Sequence, residues 1–346
     1  MSALGENGLE PSAGVRSAAR SRAALVGLVV GVPLSAVFLW LAFRHADPSE
    51  VWSVLRTAKI APVLLAVAAM AGVYLGQAIR WRAIARTPQV STTEFAEMVV
   101  SGVAVNNVLP GRVGDLLRAR WLQVAARIPG GRALASVFVD RAFDVVALVL
   151  ALLVALPFVT SAQWLRRIVL GGLVLLTLLV LALAVARLYT RRRSRDRRHD
   201  RNIVRRLVRD TLEGLSAPLG PRRTVGLAAL SIGAWLMWAL SAWLVARSLG
   251  IELSVVETVL VAAVINLGVA IPSSPGFIGT YQWLAVSALG LVGVGSSQAL
   301  AFGVLMQAVW YVPTTVVGGV LLLRRTVSVV RPVPTGATPS LGSRDG

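Results

Sequence analysis

Three short stretches of this 346-residue chain bring together residue types able to hold an anion. The first is Asn106-Asn107-Val108-Leu109-Pro110-Gly111-Arg112-Val113-Gly114-Asp115, which runs on to Arg118. The second is Asp140-Arg141-Ala142-Phe143-Asp144, and the third is Pro272-Ser273-Ser274-Pro275-Gly276-Phe277-Ile278-Gly279, followed by Gln282. A half-helix that starts after Pro110-Gly111 or Pro275-Gly276 turns free N–H groups and a positive dipole toward the break, a place suited to phosphate. Asn106, Asn107, Ser273 and Ser274 would add side-chain donors. Arg112, Asp115 and Arg118, spaced i, i+3, i+6, form a ladder on one helix face. Asp140 and Asp144 share a face at i, i+4 with Arg141 between them. That cluster's charge of −1 suits either a structural partner such as Arg112 or Arg118, or a cationic headgroup. Snorkelling at a membrane interface is the competing reading for the arginines.

Other chemistries lack their residues. The chain has no cysteine, so thiol catalysis, disulfides and thiolate metal sites are excluded. His45 and His199 both stand beside charged loop residues, and no metal or cofactor is expected. No Walker loop, dinucleotide fingerprint, HExxH or GxSxG occurs, so the expectation is a non-enzyme. The net charge of +19 is carried almost wholly by arginine. Those arginines sit between apolar blocks, which points to membrane topology and anionic lipid rather than nucleic acid.

The elements that position the three stretches are long and apolar. Hydrophobic residues make up 56% of the chain. They fall in blocks at Ala23–Phe43, Ile60–Ile79, Val145–Val159, Ile168–Leu188, Val225–Leu249 and Ala299–Leu323, most of them near the ~20 residues a span requires. Residues 1–22 are basic and disordered in composition, and 326–346 form a Pro-, Gly- and Ser-rich tail. Ten arginines crowd Arg191–Asp210, a loop that the positive-inside rule makes cytoplasmic. Propagating that rule places both termini inside and gives six spans. Tryptophans 40, 52, 81, 121, 164, 243 and 283 fit an aromatic belt.

The two broken segments, Phe95–Gln123 and Val255–Val292, must each enter and leave on one face to keep this parity. They are either re-entrant hairpins or pairs of full spans, about eight spans in all. The expected fold is therefore an all-α polytopic membrane protein. Its order of span, span, hairpin, span occurs twice with opposite starting sides, an inverted-topology repeat with halves of about 23–160 and 165–325. The P-G-x-x-G pattern at both breaks supports it.

At these residues the chain resembles the flippase-like transmembrane domain of lysylphosphatidylglycerol synthases and its stand-alone relatives. The family's patterns are roughly N-x-x-x-P-G-R-x-G-[ED], [ED]-R-x-x-D and P-x-x-P-G-x-x-G, and the resemblance spans residues 20–325. It implies movement of an aminoacylated or related phospholipid between the leaflets of a bacterial inner membrane. With only a short tail after the last span, lysyl transfer is not expected, and Gln282 stands where the family often has Glu. The expected site comprises the two Pro-Gly breaks with Arg112 and Arg118 on a lipid phosphate, and Asp140 and Asp144 balancing charge. The expected partners are anionic, aminoacylated or polyprenyl-linked lipids, with a membrane-bound biosynthetic enzyme as a further candidate. Two other functions remain open: a non-transporting partner of such an enzyme, and an intramembrane polyprenyl-phosphate transferase.

Overall fold

The regular elements among the described residues are all helices. The computed structural model describes residues 36–109, 112–155, 203–216, 220–269 and 275–330, with isolated positions at 33 and between 170 and 188. The expected span at Ala23–Phe43 is thus described only from residue 36 on, the span at Ile168–Leu188 only at isolated positions. Residues 1–22, the tail from 331, Pro110, Gly111, Ser273 and Ser274 lie outside the described residues.

The helices are α1 (Pro48–Arg56), α2 (Ile60–Ala85), α3 (Thr92–Val108), α4 (Val113–Ala126) and α5 (Gly130–Ala155). They continue as α6 (Ile203–Ser216), α7 (Pro221–Ser248), α8 (Val255–Val269), α9 (Thr280–Gly290) and α10 (Ser296–Val330). Among the described residues α2, α7 and the stretch Ser296–Arg325 of α10 are long and apolar enough to cross a membrane. Helix α5 has the length, but Asp140, Arg141 and Asp144 interrupt its apolar run. The protein is a multi-pass membrane protein.

Helices α2 and α7 pack antiparallel as the central pair. Lys59 N–H bonds Ser248 O at 3.0 Å, Ser241 Oγ bonds Ala66 O at 3.0 Å, and Arg80 Nη1 bonds Ser231 Oγ at 2.9 Å. This pairing brings Arg82 and Arg86 to the same end of the molecule as Arg222 and Arg223, and Arg223 donates to Ala83 O. Gln89, just ahead of α3, donates to Ala126 O at the end of α4 (3.0 Å), so the first broken segment begins and ends at this arginine-rich end. Arg325 of α10 also reaches it, pairing with Glu97 at 3.1 Å. The start of α10 is at the opposite end, where Ser297 Oγ accepts from Asp47 N–H.

Two features depart from expectation. The second half of the arginine loop is helical, because Ile203, Val204, Leu207, Val208, Leu212 and Leu215 recur at helical spacing between the arginines. Trp81 is not part of an aromatic belt. It is fully buried, edge-on to Phe95 at 4.8 Å, with its indole N–H on Ser136 Oγ at 3.0 Å. A buried indole needs such an acceptor.

The α3–α4 hairpin closes on two glycines. A Cβ on Gly114 would lie 1.9 Å from Gly102 O, and one on Gly102 would lie 2.6 Å from Arg118 Cγ. Gly114→Ala should therefore lower stability by about 1–3 kcal/mol, the usual cost of overpacking. Gly226→Ala on α7, where nothing stands within 4 Å, should be neutral or stabilising. Melting of both variants in detergent checks the difference.

Candidate functional site

The charged residues of α2, α4 and α5 close into a ring of ion pairs. Arg80 donates from Nε to Asp140 Oδ1 (2.8 Å), and its Nη1 lies 2.8 Å from Asp144 Oδ1. Asp140 Oδ2 faces Arg118 Nη2 at 3.3 Å, and Arg118 Nη1 faces Asp115 Oδ1 at 3.4 Å. Asp115 Oδ1 accepts from Arg141 Nη2 at 2.7 Å, and Arg141 Nη1 returns to Asp144 Oδ2 at 3.3 Å. Each arginine thus spans two aspartates and each aspartate two arginines. Three positive and three negative charges cancel.

Arg80, Arg118 and Asp140 are fully buried, and Asp144 nearly so. Isolated charges in such surroundings would cost several kcal/mol each, so only closure of the ring makes the arrangement tolerable. Trp81 adds to this, with the Arg118 guanidinium 4.3 Å from its ring centre. Arg80 Nη2, Arg118 Nε and Arg141 Nε are nonetheless buried without a hydrogen-bond partner among the described residues. The ring keeps unused donor capacity.

The ring unites five residues marked out by sequence: Asp115, Arg118, Asp140, Arg141 and Asp144. Asp140 and Arg118 pair as one of the open readings had it. The sequence reading missed Arg80, whose place beside Arg82 and Arg86 is fully accounted for by topology. Its depth, 20 residues into an apolar run from Ile60, was the available signal. Arg112 is not part of the ladder with Asp115 and Arg118. It takes a left-handed backbone (φ 55°) ahead of α4, stays exposed, and donates from Nη2 to Val269 O at the end of α8 (3.1 Å). A helix-terminal carbonyl needs such an outside donor.

The two breaks meet. Gly276, at φ 64°, is so close to the first break that a Cβ there would lie 3.0 Å from Asn107 O and 2.7 Å from Tyr311 Cε2. Asn107 is buried and donates from Nδ2 to Thr314 and Thr315 of α10 (3.2 and 2.8 Å). Asn106 Oδ1 accepts from Gly114 N–H at 2.7 Å, securing the first turn of α4. At the second break Pro275 opens a short 3-10 turn, and Gly279 (φ 86°) leads into α9. Gln282 Oε1 accepts from Gly279 N–H (2.7 Å), Gln282 Nε2 donates to Gln307 Oε1, and Gln307 Nε2 donates to Gly276 O (2.7 Å). Asn107 and Gln282 are thus engaged in holding the breaks to α10.

Residues 25–318 match the family described as the lysylphosphatidylglycerol synthase TM region. The chain belongs to that family. It is also 30% identical over 360 aligned positions to a Haloferax volcanii protein named glycosyltransferase AglD, across 90% of this chain and 56% of that protein. The chain spans little more than half the length of this curated relative.

Asp144→Ala should damage the protein far more than Glu257→Ala. It strips Arg80 and Arg141 of one partner each, and breaking a buried pair costs roughly 3–5 kcal/mol. Glu257 is instead a helix-start cap, its carboxylate accepting from Ser254 N–H at 2.8 Å, worth about 1 kcal/mol. Yield and melting temperature of the two variants in one detergent check this.

Proposed function

We propose that this protein moves a phosphate-bearing lipid, aminoacylated or otherwise, between membrane leaflets. The observation that carries this reading is the meeting of the two broken segments at Asn107 and Gly276 with Arg112 beside them. Broken helices at membrane depth are tolerated where they are buried or line a polar path, and transporters use them to bind substrate. Arg112 is the exposed cation at this meeting point and takes the phosphate-facing role. Arg118 is bonded to two carboxylates and acts through the ring. Family membership supports a lipid-related role, and the three unused arginine donors supply places where a headgroup oxygen could bind in passing.

In this reading the two broken segments are re-entrant hairpins opening on opposite faces, related as inverted repeats. The arginine-rich end, with Arg86, Arg223 and α6, is cytoplasmic, and the membrane is the bacterial inner membrane. The chain acts as a transporter and not as an enzyme.

The relative named as a glycosyltransferase favours a second reading, in which the chain is the membrane partner of an enzyme acting on lipid-linked sugars. The intramembrane transferase reading fares worse. It needs Asp140 and Asp144 on a metal, and both are bonded to arginines.

Reconstitution separates these readings. In liposomes with a fluorescent phosphatidylglycerol, the protein should speed leaflet exchange, and Arg112→Ala should slow it about tenfold, the worth of one charge-assisted bond. Melting should move only by the worth of the lost hydrogen bond to Val269 O, about 1–2 kcal/mol in stability. Absence of exchange by folded protein would sink the transport reading, and product formation from a polyprenyl phosphate would establish the enzymatic one.

A further inference from the structure

A cavity of about 690 Å³ lies between α2, α5, α6 and α7, apart from the two breaks. Its lining along α5 includes Arg132, Ser136, Val139, Phe143, Val146 and Leu150, one continuous helix face. At 1.5 Å per residue that face is about 27 Å long, close to the ~30 Å thickness of a hydrocarbon core. Polarity along it runs one way. Arg86, Arg132, Asp210, Glu213 and Thr224 line one end, and beyond Ser136 the α5 face is wholly apolar.

The two hydroxyls in the middle leave that stretch effectively apolar. Ser136 accepts from Trp81 and donates to Ala133 O, while Ser231 accepts from Arg80 and donates to Leu227 O. Helix α6 is a fixed wall. A Cβ on Gly131 would lie 2.5 Å from Leu207 O, and one on Gly214 would lie 2.6 Å from Ala135 Cβ. The acidic residues at the mouth are offset by Arg209, which faces Asp210 at 3.3 Å and Glu213 at 3.9 Å. The lining thus holds Arg86 and Arg132 against Asp210 and Glu213, and Arg209 behind it brings a further positive charge to the two carboxylates.

We propose that this cavity binds a lipid, with a hydrocarbon chain along the α5 face from Val139 to Leu150 and a phosphate headgroup at Arg86 and Arg132. The size falls within the usual range for ligand pockets, about 300–1,000 Å³. An apolar channel with two arginines at its mouth selects an amphiphile over a free sugar phosphate or a hydrocarbon. The proposal deepens the lipid-transport reading by giving the lipid a resting place, and it rests on that reading only for the step that follows binding. The ring stands behind the same wall, since Ser231 touches both the cavity and Arg80.

Native mass spectrometry of the full-length protein in detergent tests it, with dioleoyl phosphatidylglycerol, dioleoyl phosphatidylethanolamine and dioleoylglycerol as probes. Both phospholipids should be retained, and dioleoylglycerol, which has the same chains without phosphate, about tenfold less. Retention of the anionic lipid alone would assign the mouth to net charge; equal retention of both phospholipids would assign it to phosphate. Ala142→Trp on α5 and Ala228→Trp on α7, both at positions that line the cavity, should each cut retention about tenfold by filling the channel. Arg132→Gln, an exposed change that leaves packing intact, should cut retention of phosphatidylglycerol even if the tryptophan variants fold poorly. Lipid retention by wild-type protein that speeds no exchange in liposomes would leave this proposal standing and count against transport alone. Equal retention of all three probes, or unchanged retention by Arg132→Gln and the folded tryptophan variants, would overturn the proposal.

Discussion

Six charges set in an apolar bundle, four of them buried, are the constraint around which this structure is arranged. No pair among them is self-sufficient, because every arginine is shared between two carboxylates and every carboxylate between two arginines. Helix α5 supplies Asp140, Arg141 and Asp144, α4 supplies Asp115 and Arg118, and α2 supplies Arg80. The three helices must therefore dock together in one register, and α7 joins them through Ser231. The glycine pair Gly102 and Gly114 makes room for the Arg118 stem, so even the close α3–α4 crossing answers to the ring. An apolar core would hold these helices with less desolvation cost. A neutral ring with three idle donors is better suited to specifying one docking geometry than to maximising stability.

The breaks solve a related problem. Irregular backbone inside a membrane protein needs internal partners for its N–H and C=O groups. Here amide side chains provide them at Gln282 and Gln307 for the second break and at Asn106 for the first, where the Tyr311 hydroxyl also donates to Asn107 O. The Arg112 guanidinium crosses from the first break to the open carbonyl of Val269. One polar layer thus ties both broken segments to α10 and to each other, beside the ring rather than within it.

Much of this was legible in the sequence, for definite reasons. Apolar blocks of span length and the Pro-Gly interruptions give the helical class, and acidic residues inside an apolar run announce a pairing need, which led to Asp140, Arg141 and Asp144. What failed was information held by distant residues. Arg80 looked like a topology marker because its partners lie 60 and 64 positions away. Asn107 looked like a donor for a ligand because Thr314 and Thr315 are two hundred positions further on. Gln282 stood out only as a departure from the family's Glu, although a cap three residues from Gly279 is a local pattern. Helix α6 hid beneath its arginines, whose density suggests a loop until the apolar residues between them are counted by period.

The claim most exposed to refutation is that the ring acts as one unit. A double-mutant cycle on Arg80 and Asp140, using Arg80→Met and Asp140→Leu with melting in detergent as the readout, measures it directly. The account predicts that each single change is severely destabilising, and that the double variant costs less than their sum by about 1–3 kcal/mol. Additive costs, with no coupling between residues 2.8 Å apart, would contradict it.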